Sequence, residues 1–93
     1  MADTPETVLT RFTLGQHVVE LTEAGDGTLT LWLDGCVRKR RAPGVRGTYL
    51  WTNVELPFED HHLVEVRRGA SASAAVDIHV NGTLKTRVEV RAA

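Results

Sequence analysis

Two stretches of the chain alternate apolar and polar residues with a period of two. In His17–Gly35, Val19 and Leu21 flank Glu20, and Leu29, Leu31 and Leu33 alternate with Thr28, Thr30, Trp32 and Asp34. In His61–Gly82, Val64 and Val66 alternate with Glu65 and Arg67, and Val76, Ile78 and Val80 alternate with Asp77 and His79. Alternate side chains of a strand point to opposite faces, so each stretch predicts strands with one apolar and one mostly polar face. That is the pattern of an antiparallel sheet covered on one side. Gly25-Asp26-Gly27 and the small polar segment Gly69–Ser73 supply the internal turns. Asp34-Gly35 and Asn81-Gly82 close the two units and are two-residue hairpin signals.

Aligned on their closing glycines, Leu31 matches Ile78, Leu33 matches Val80, and Trp32 matches His79, while His17 and His62 open their units. Duplication produces such a match, and so does the shared pattern of any two half-buried hairpins. The remaining segments add strands. Val8, Thr10, Phe12 and Leu14 alternate with Leu9, Arg11 and Thr13 and predict a first strand, after a flexible leader over residues 1–7. Cys36-Val37 reads as a short strand with a solvated basic end, broken by Ala42-Pro43-Gly44. Gly47–Leu56 is rich in aromatic and β-branched residues, and Pro57–Asp60 turns the chain into the second unit. Thr83–Arg91 predicts a last strand with Leu84, Thr86, Val88 and Val90 on one face. The one helical alternative, Ala70–Ala75, is too short to propagate. About eight short strands punctuated by turns predict an all-β fold: a single antiparallel β-sandwich over residues 8–93, built around two similar hairpins.

Composition bounds the rest. The chain has 93 residues, which suits one small domain, and its 42% hydrophobic and 25% charged residues are the balance of an ordinary globular one. The net charge of −1 implies no bulk attraction to nucleic acid or to an anionic membrane. Cys36 is the only cysteine, so an internal disulfide is excluded and no oxidising compartment is required. The acidic, polar start MADTPETVLTRF lacks the basic-then-apolar pattern of a secretory signal, and no apolar run approaches the length of a membrane span. A cytoplasmic setting is the expectation.

Candidate chemistry is sparse. His17, His61, His62 and His79 are the residues that suggest a metal, and His17 and His62 share the inward parity of their strands. None stands at ligand spacing with a second histidine or cysteine, so the ordinary reading is strand-end histidines that are hydrogen-bonded or partly exposed. Cys36 precedes four basic residues, which favour thiolate, but a structural or surface cysteine is the simpler account. Ser71 and Ser73 lie in a turn outside any nucleophile-elbow context, and Glu55, Glu59 and Asp60 form the kind of acidic cluster that turns commonly carry. No catalytic residue, metal ligand or cofactor is assigned.

Charge distribution is more informative. Residues 35–50 hold Arg38, Lys39, Arg40, Arg41 and Arg46 and no acid, whereas residues 1–34 hold six acids and one base. Beside Tyr49 and Trp51, such a run suits phosphates and stacked bases. The simpler account is an exposed edge strand protected from sheet-to-sheet aggregation, and an acidic protein partner is a further one. Trp32 has the parity opposite to Leu31 and Leu33. It is either an exposed partner anchor or a ring covered by neighbouring chain.

The order of strand, Gly-rich turn, strand, Asp-Gly and basic run resembles the N-terminal domain of the Fas apoptotic inhibitory molecule family. The matching residues are His17-Val18-Val19-Glu20-Leu21, Leu31-Trp32-Leu33-Asp34-Gly35 and Arg38-Lys39-Arg40, followed by Val76–Lys85 around Asn81-Gly82. The central Tyr49-Leu50-Trp51-Thr52 departs from that family's pattern. The resemblance implies a non-catalytic all-β module acting through protein contacts. With no catalytic constellation, a displaced tryptophan and an uneven charge distribution, the expected function is a protein-interaction module whose contact surface includes Trp32, Arg38, Lys39, Arg40 and Arg41. Its partner is an unidentified protein, a second copy of the chain being one form. The alternatives are a nucleic-acid-binding β domain using residues 38–46, and a small enzyme or metal protein using His17, His62 and Cys36.

Overall fold

The structure is a computed structural model that describes residues 6–57, 60–70 and 75–89. Eight strands follow one another: β1 (Glu6–Leu14), β2 (His17–Ala24), β3 (Leu29–Leu33), β4 (Cys36–Arg41), β5 (Thr48–Leu56), β6 (Asp60–Arg68), β7 (Val76–Val80) and β8 (Thr83–Val88). They form two four-stranded antiparallel sheets, β1-β2-β3-β4 and β5-β6-β7-β8, so each half of the chain is a meander. The fold is an all-β sandwich, and its core lies between the inner faces. Val19, Leu21, Leu29 and Leu31 come from the first sheet, and Leu50, Val54, Val64, Val66, Val76 and Ile78 from the second, each at most 1% exposed. All but Leu50 and Val54 are inward positions that the alternation predicts.

Three β-bulges shift the parity at strand ends. In β1 the register slips between Val8 and Thr10, so Thr10, Phe12 and Leu14 keep the inner parity while Val8 turns outward and is 54% exposed. In β8 the slip falls opposite Ile78/His79, which puts Leu84 on the outer face at 47% exposure and leaves Val88 against the core. The expected single face of Leu84, Thr86 and Val88 is therefore broken, because a bulge sets two residues against one. β1 also begins at Glu6 instead of Val8, and β4 runs on through the basic residues to Arg41. Leader residues 1–5, turn residues 58–59 and 71–74, and Val90 and Arg91 of the last strand lie outside the described residues.

The two halves are equivalent in detail. Asp34 and Asn81 both have φ of 51°, and Gly35 and Gly82 both have φ of 81°, as a two-residue turn with two left-handed positions requires. Each turn is closed in the same way. The Val18 N–H donates to Asp34 Oδ1 (2.8 Å) while the Asp34 N–H donates to the Val18 carbonyl (2.8 Å). Leu63 and Asn81 repeat this pair of bonds, at 2.9 Å each. The β3–β4 and β7–β8 bulges also fall at matching places, beside Trp32 and His79. By register, Arg38 corresponds to Lys85 and Phe12 to Thr52. Arg38 Nε donates to Thr52 Oγ1 (3.2 Å), and the Lys85 ammonium lies over the Phe12 ring (5.7 Å), so the corresponding residues meet in both directions. A pseudo-two-fold relation between the meanders has this consequence, and it favours duplication over chance similarity.

Two further contacts tie sheet to sheet. Arg68 of β6, its side chain 3% exposed, pairs with Glu23 of β2 and donates to the Gly27 carbonyl (2.7 Å). At the other end of β2, His17 bridges Asp34 and the Glu55 carbonyl of β5.

Candidate interaction surface

The five residues expected at the contact surface divide between two places. Trp32 and Arg40 lie on the outer face of the first sheet, joined through two buried threonines, Thr22 and Thr30. Trp32 Nε1 donates to Thr22 Oγ1 (2.9 Å), and Arg40 Nε donates to Thr30 Oγ1 (3.0 Å). Both hydroxyls donate in turn to Glu6 Oε1, at 3.1 and 3.2 Å. Every hydroxyl is thereby satisfied, as burial demands. The outward parity of Trp32 holds, but its ring is half-buried and its N–H is engaged within the sheet.

Arg38 and Lys39 lie at the seam where β4 meets β5. Arg38 reaches Thr52, and the Lys39 ammonium sits 4.9 Å from the centroid of Trp51. Leu50, Thr52 and Val54 point inward, so Tyr49 and Trp51 stand on the outer face of β5, 42% and 40% exposed. The Arg67 guanidinium lies over Tyr49 at 5.0 Å. Tyr49 donates its hydroxyl to Glu65 (2.6 Å), and Arg67 donates to the same oxygen (3.1 Å). The Tyr49 bond, followed by the Arg67 bond, holds the Glu65 carboxyl below its ordinary value, while the Glu65 carboxylate pushes the Tyr49 phenol up. An open groove of about 450 Å³ continues from Tyr49 along Arg46, Gly47, Thr48, Arg67 and Arg68. Arg41 ends β4 at this side, and Val45 in the loop to β5 is 96% exposed.

Sequence reasoning gave Trp32 the part of anchor and set Tyr49 and Trp51 beside the basic run only as base-stacking candidates. The signal for Trp51 was the same as for Trp32, outward parity in an alternating strand. The position of β5 at a sheet edge decides which of the two rings is the more exposed.

His17 engages Asp34 and Glu55, and His62 lies beside Asp60 (3.2 Å). Among the described residues no group of three or more His, Cys, Asp or Glu side chains is placed to hold a metal ion. Cys36 is exposed at the start of β4. Among the described residues, no helix is long and apolar enough to cross a membrane. Comparison with family models, curated proteins and solved structures gives no match.

Proposed function

We propose that the chain is a non-catalytic protein-interaction module and that the β4–β5 seam around Trp51 is its contact surface. One observation carries the reading: Trp51 and Tyr49 stand side by side on an outer sheet face, about 40% exposed, with Lys39 and Arg67 against their rings. Tryptophan, tyrosine and arginine are the residue types that dominate binding energy at protein interfaces. The Fas apoptotic inhibitory molecule resemblance belongs to the same proposal, since it implies an all-β module acting through protein contacts. A cytoplasmic setting fits a chain whose only cysteine is Cys36.

The test places a photo-crosslinking amino acid at position 51 in the full chain inside cells, with position 8 as control. Val8 is 54% exposed on the other sheet. The expected result is a discrete protein adduct from position 51 that survives nuclease, is competed by unlabelled wild-type chain, and is absent from position 8. Equal labelling at both positions, or no protein adduct at 51, overturns the reading.

A further inference from the structure

Among the described residues the arginines fall into two groups. Arg11, Arg67, Arg68 and Arg87 each lie within ion-pair distance of a carboxylate: Glu20, Glu65, Glu23 and Asp77 respectively. Among the described residues, Arg38, Lys39, Arg40, Arg41 and Arg46 have no such partner. Arg38 and Arg40 bond threonine hydroxyls, Lys39 covers Trp51, and the side chains of Arg41 and Arg46 make no hydrogen bond among the described residues. Among the described residues, five of the six arginine and lysine side chains without a carboxylate partner are thus gathered on β4 and the loop to β5, the sixth being Lys85 of β8 over the Phe12 ring. Cations on an edge strand discourage aggregation. That role gives no reason for exposed aromatic and aliphatic side chains in the same place, yet Trp51, Tyr49, Val37 and Val45 are all exposed there.

We infer that the partner presents an acidic segment with interspersed apolar side chains, bound along the β4–β5 seam. This rests on the interaction reading and names the chemistry of its partner. Carboxylates of the segment answer the unmatched cations at Arg41, Arg46 and Lys39, and its apolar side chains cover Val37, Trp51 and Val45. Single-stranded nucleic acid offers the same negative charge but fits less well. Each ring carries a cation over one face, Lys39 at 4.9 Å from Trp51 and Arg67 at 5.0 Å from Tyr49, which hinders flat stacking of a base on that face.

Fluorescence anisotropy tests the inference with three labelled probes on the full chain. They are a short peptide alternating glutamate and leucine, the same peptide with glutamine for glutamate, and oligothymidine. The glutamate peptide is expected to bind at least about tenfold more tightly than the glutamine peptide at low salt, and to weaken as salt is added. The double variant Arg41→Glu, Arg46→Glu should lose about tenfold in affinity for it, with an unchanged denaturation midpoint. Equal binding of the two peptides, an unaffected double variant, binding of oligothymidine alone, or binding of no probe overturns the acidic-segment inference. A position-51 adduct in cells alongside any of these leaves the interaction module standing and removes only the acidic partner.

Discussion

Arg68 of β6 and Glu23 of β2 hold corresponding places in the two halves of the chain, and they pair with each other. Each extends an inward-facing apolar stripe, Val64–Val66 and Val19–Leu21. The Arg68 side chain is 3% exposed and that of Glu23 19%. Removing one partner leaves a charge buried without its counterpart, which costs about 3 kcal/mol or more. Glu23→Arg should therefore destabilise the fold by about that amount, because it sets two guanidinium groups together. Glu23→Arg combined with Arg68→Glu should recover a large part of the loss. Urea unfolding of the three variants measures this, and no recovery in the double variant would mean that the bond from Arg68 to the Gly27 carbonyl outweighs the pair.

The His17 bridge makes stability depend on pH. Both imidazole nitrogens face acceptors, Asp34 Oδ2 at 2.6 Å and the Glu55 carbonyl at 2.9 Å, so the doubly protonated ring satisfies both. The Asp34 hydrogen bond raises the His17 pKa above 6.5, and the same bond lowers that of Asp34 below 3.8. A raised histidine pKa contributes stability that is fully present below 6.5 and is lost as pH rises through the folded value. A lowered carboxylate pKa contributes stability present above 3.8 and lost as pH falls through the folded value. The melting temperature should thus fall as the pH is raised above 6.5. His17→Ala should flatten that fall, as a pH series of thermal melts on the two proteins would show.

Asp34 and Asn81 offer matched substitutions. Both occupy left-handed backbone with a side-chain oxygen bonded across the hairpin. Alanine there keeps the unfavourable φ and loses the bond, a cost of about 1–2 kcal/mol. Asn81→Ala should cost about this much. Asp34→Ala should cost more below pH 6.5, since it also releases His17. Denaturation midpoints at pH 6 and pH 9 separate the two contributions.

The two tryptophans should behave as opposites. Trp32 is half-buried and bonded to Thr22, so Trp32→Ala should destabilise the domain by about 3 kcal/mol. Trp51 is 40% exposed, so Trp51→Ala should change stability by less than about 1 kcal/mol while weakening the glutamate–leucine peptide. Parallel unfolding and anisotropy measurements on both variants check this. Retained peptide binding by Trp51→Ala would move the contact surface away from the β4–β5 seam.

Much of this architecture is legible in the chain. Strict alternation in Val19–Leu21, Leu29–Leu33, Val64–Val66 and Val76–Val80 names most of the core, and the Asp-Gly and Asn-Gly turns fix the register of two hairpins. The bulges leave no such mark, since one extra residue costs the local pattern nothing. Val8 and Leu84 therefore change faces without warning. Glu23 and Arg68 carry a readable signal, an acid and a base at inward parity, but only the fold brings them together. The exposure of Trp51 depends on β5 lying at an edge and on how far β4 covers it, and strand order is not written in any single strand.

Residues 42–47 are the only covalent link between the two meanders. Joining them in one chain replaces an encounter between separate molecules with an effective concentration on the order of millimolar, so their association does not vanish on dilution. It also releases them from identity. In a pair of identical subunits, a residue beside the axis meets its own copy, glutamate against glutamate or arginine against arginine. Only a fused chain lets the two sides differ, and Glu23 opposite Arg68 is the mark of that freedom.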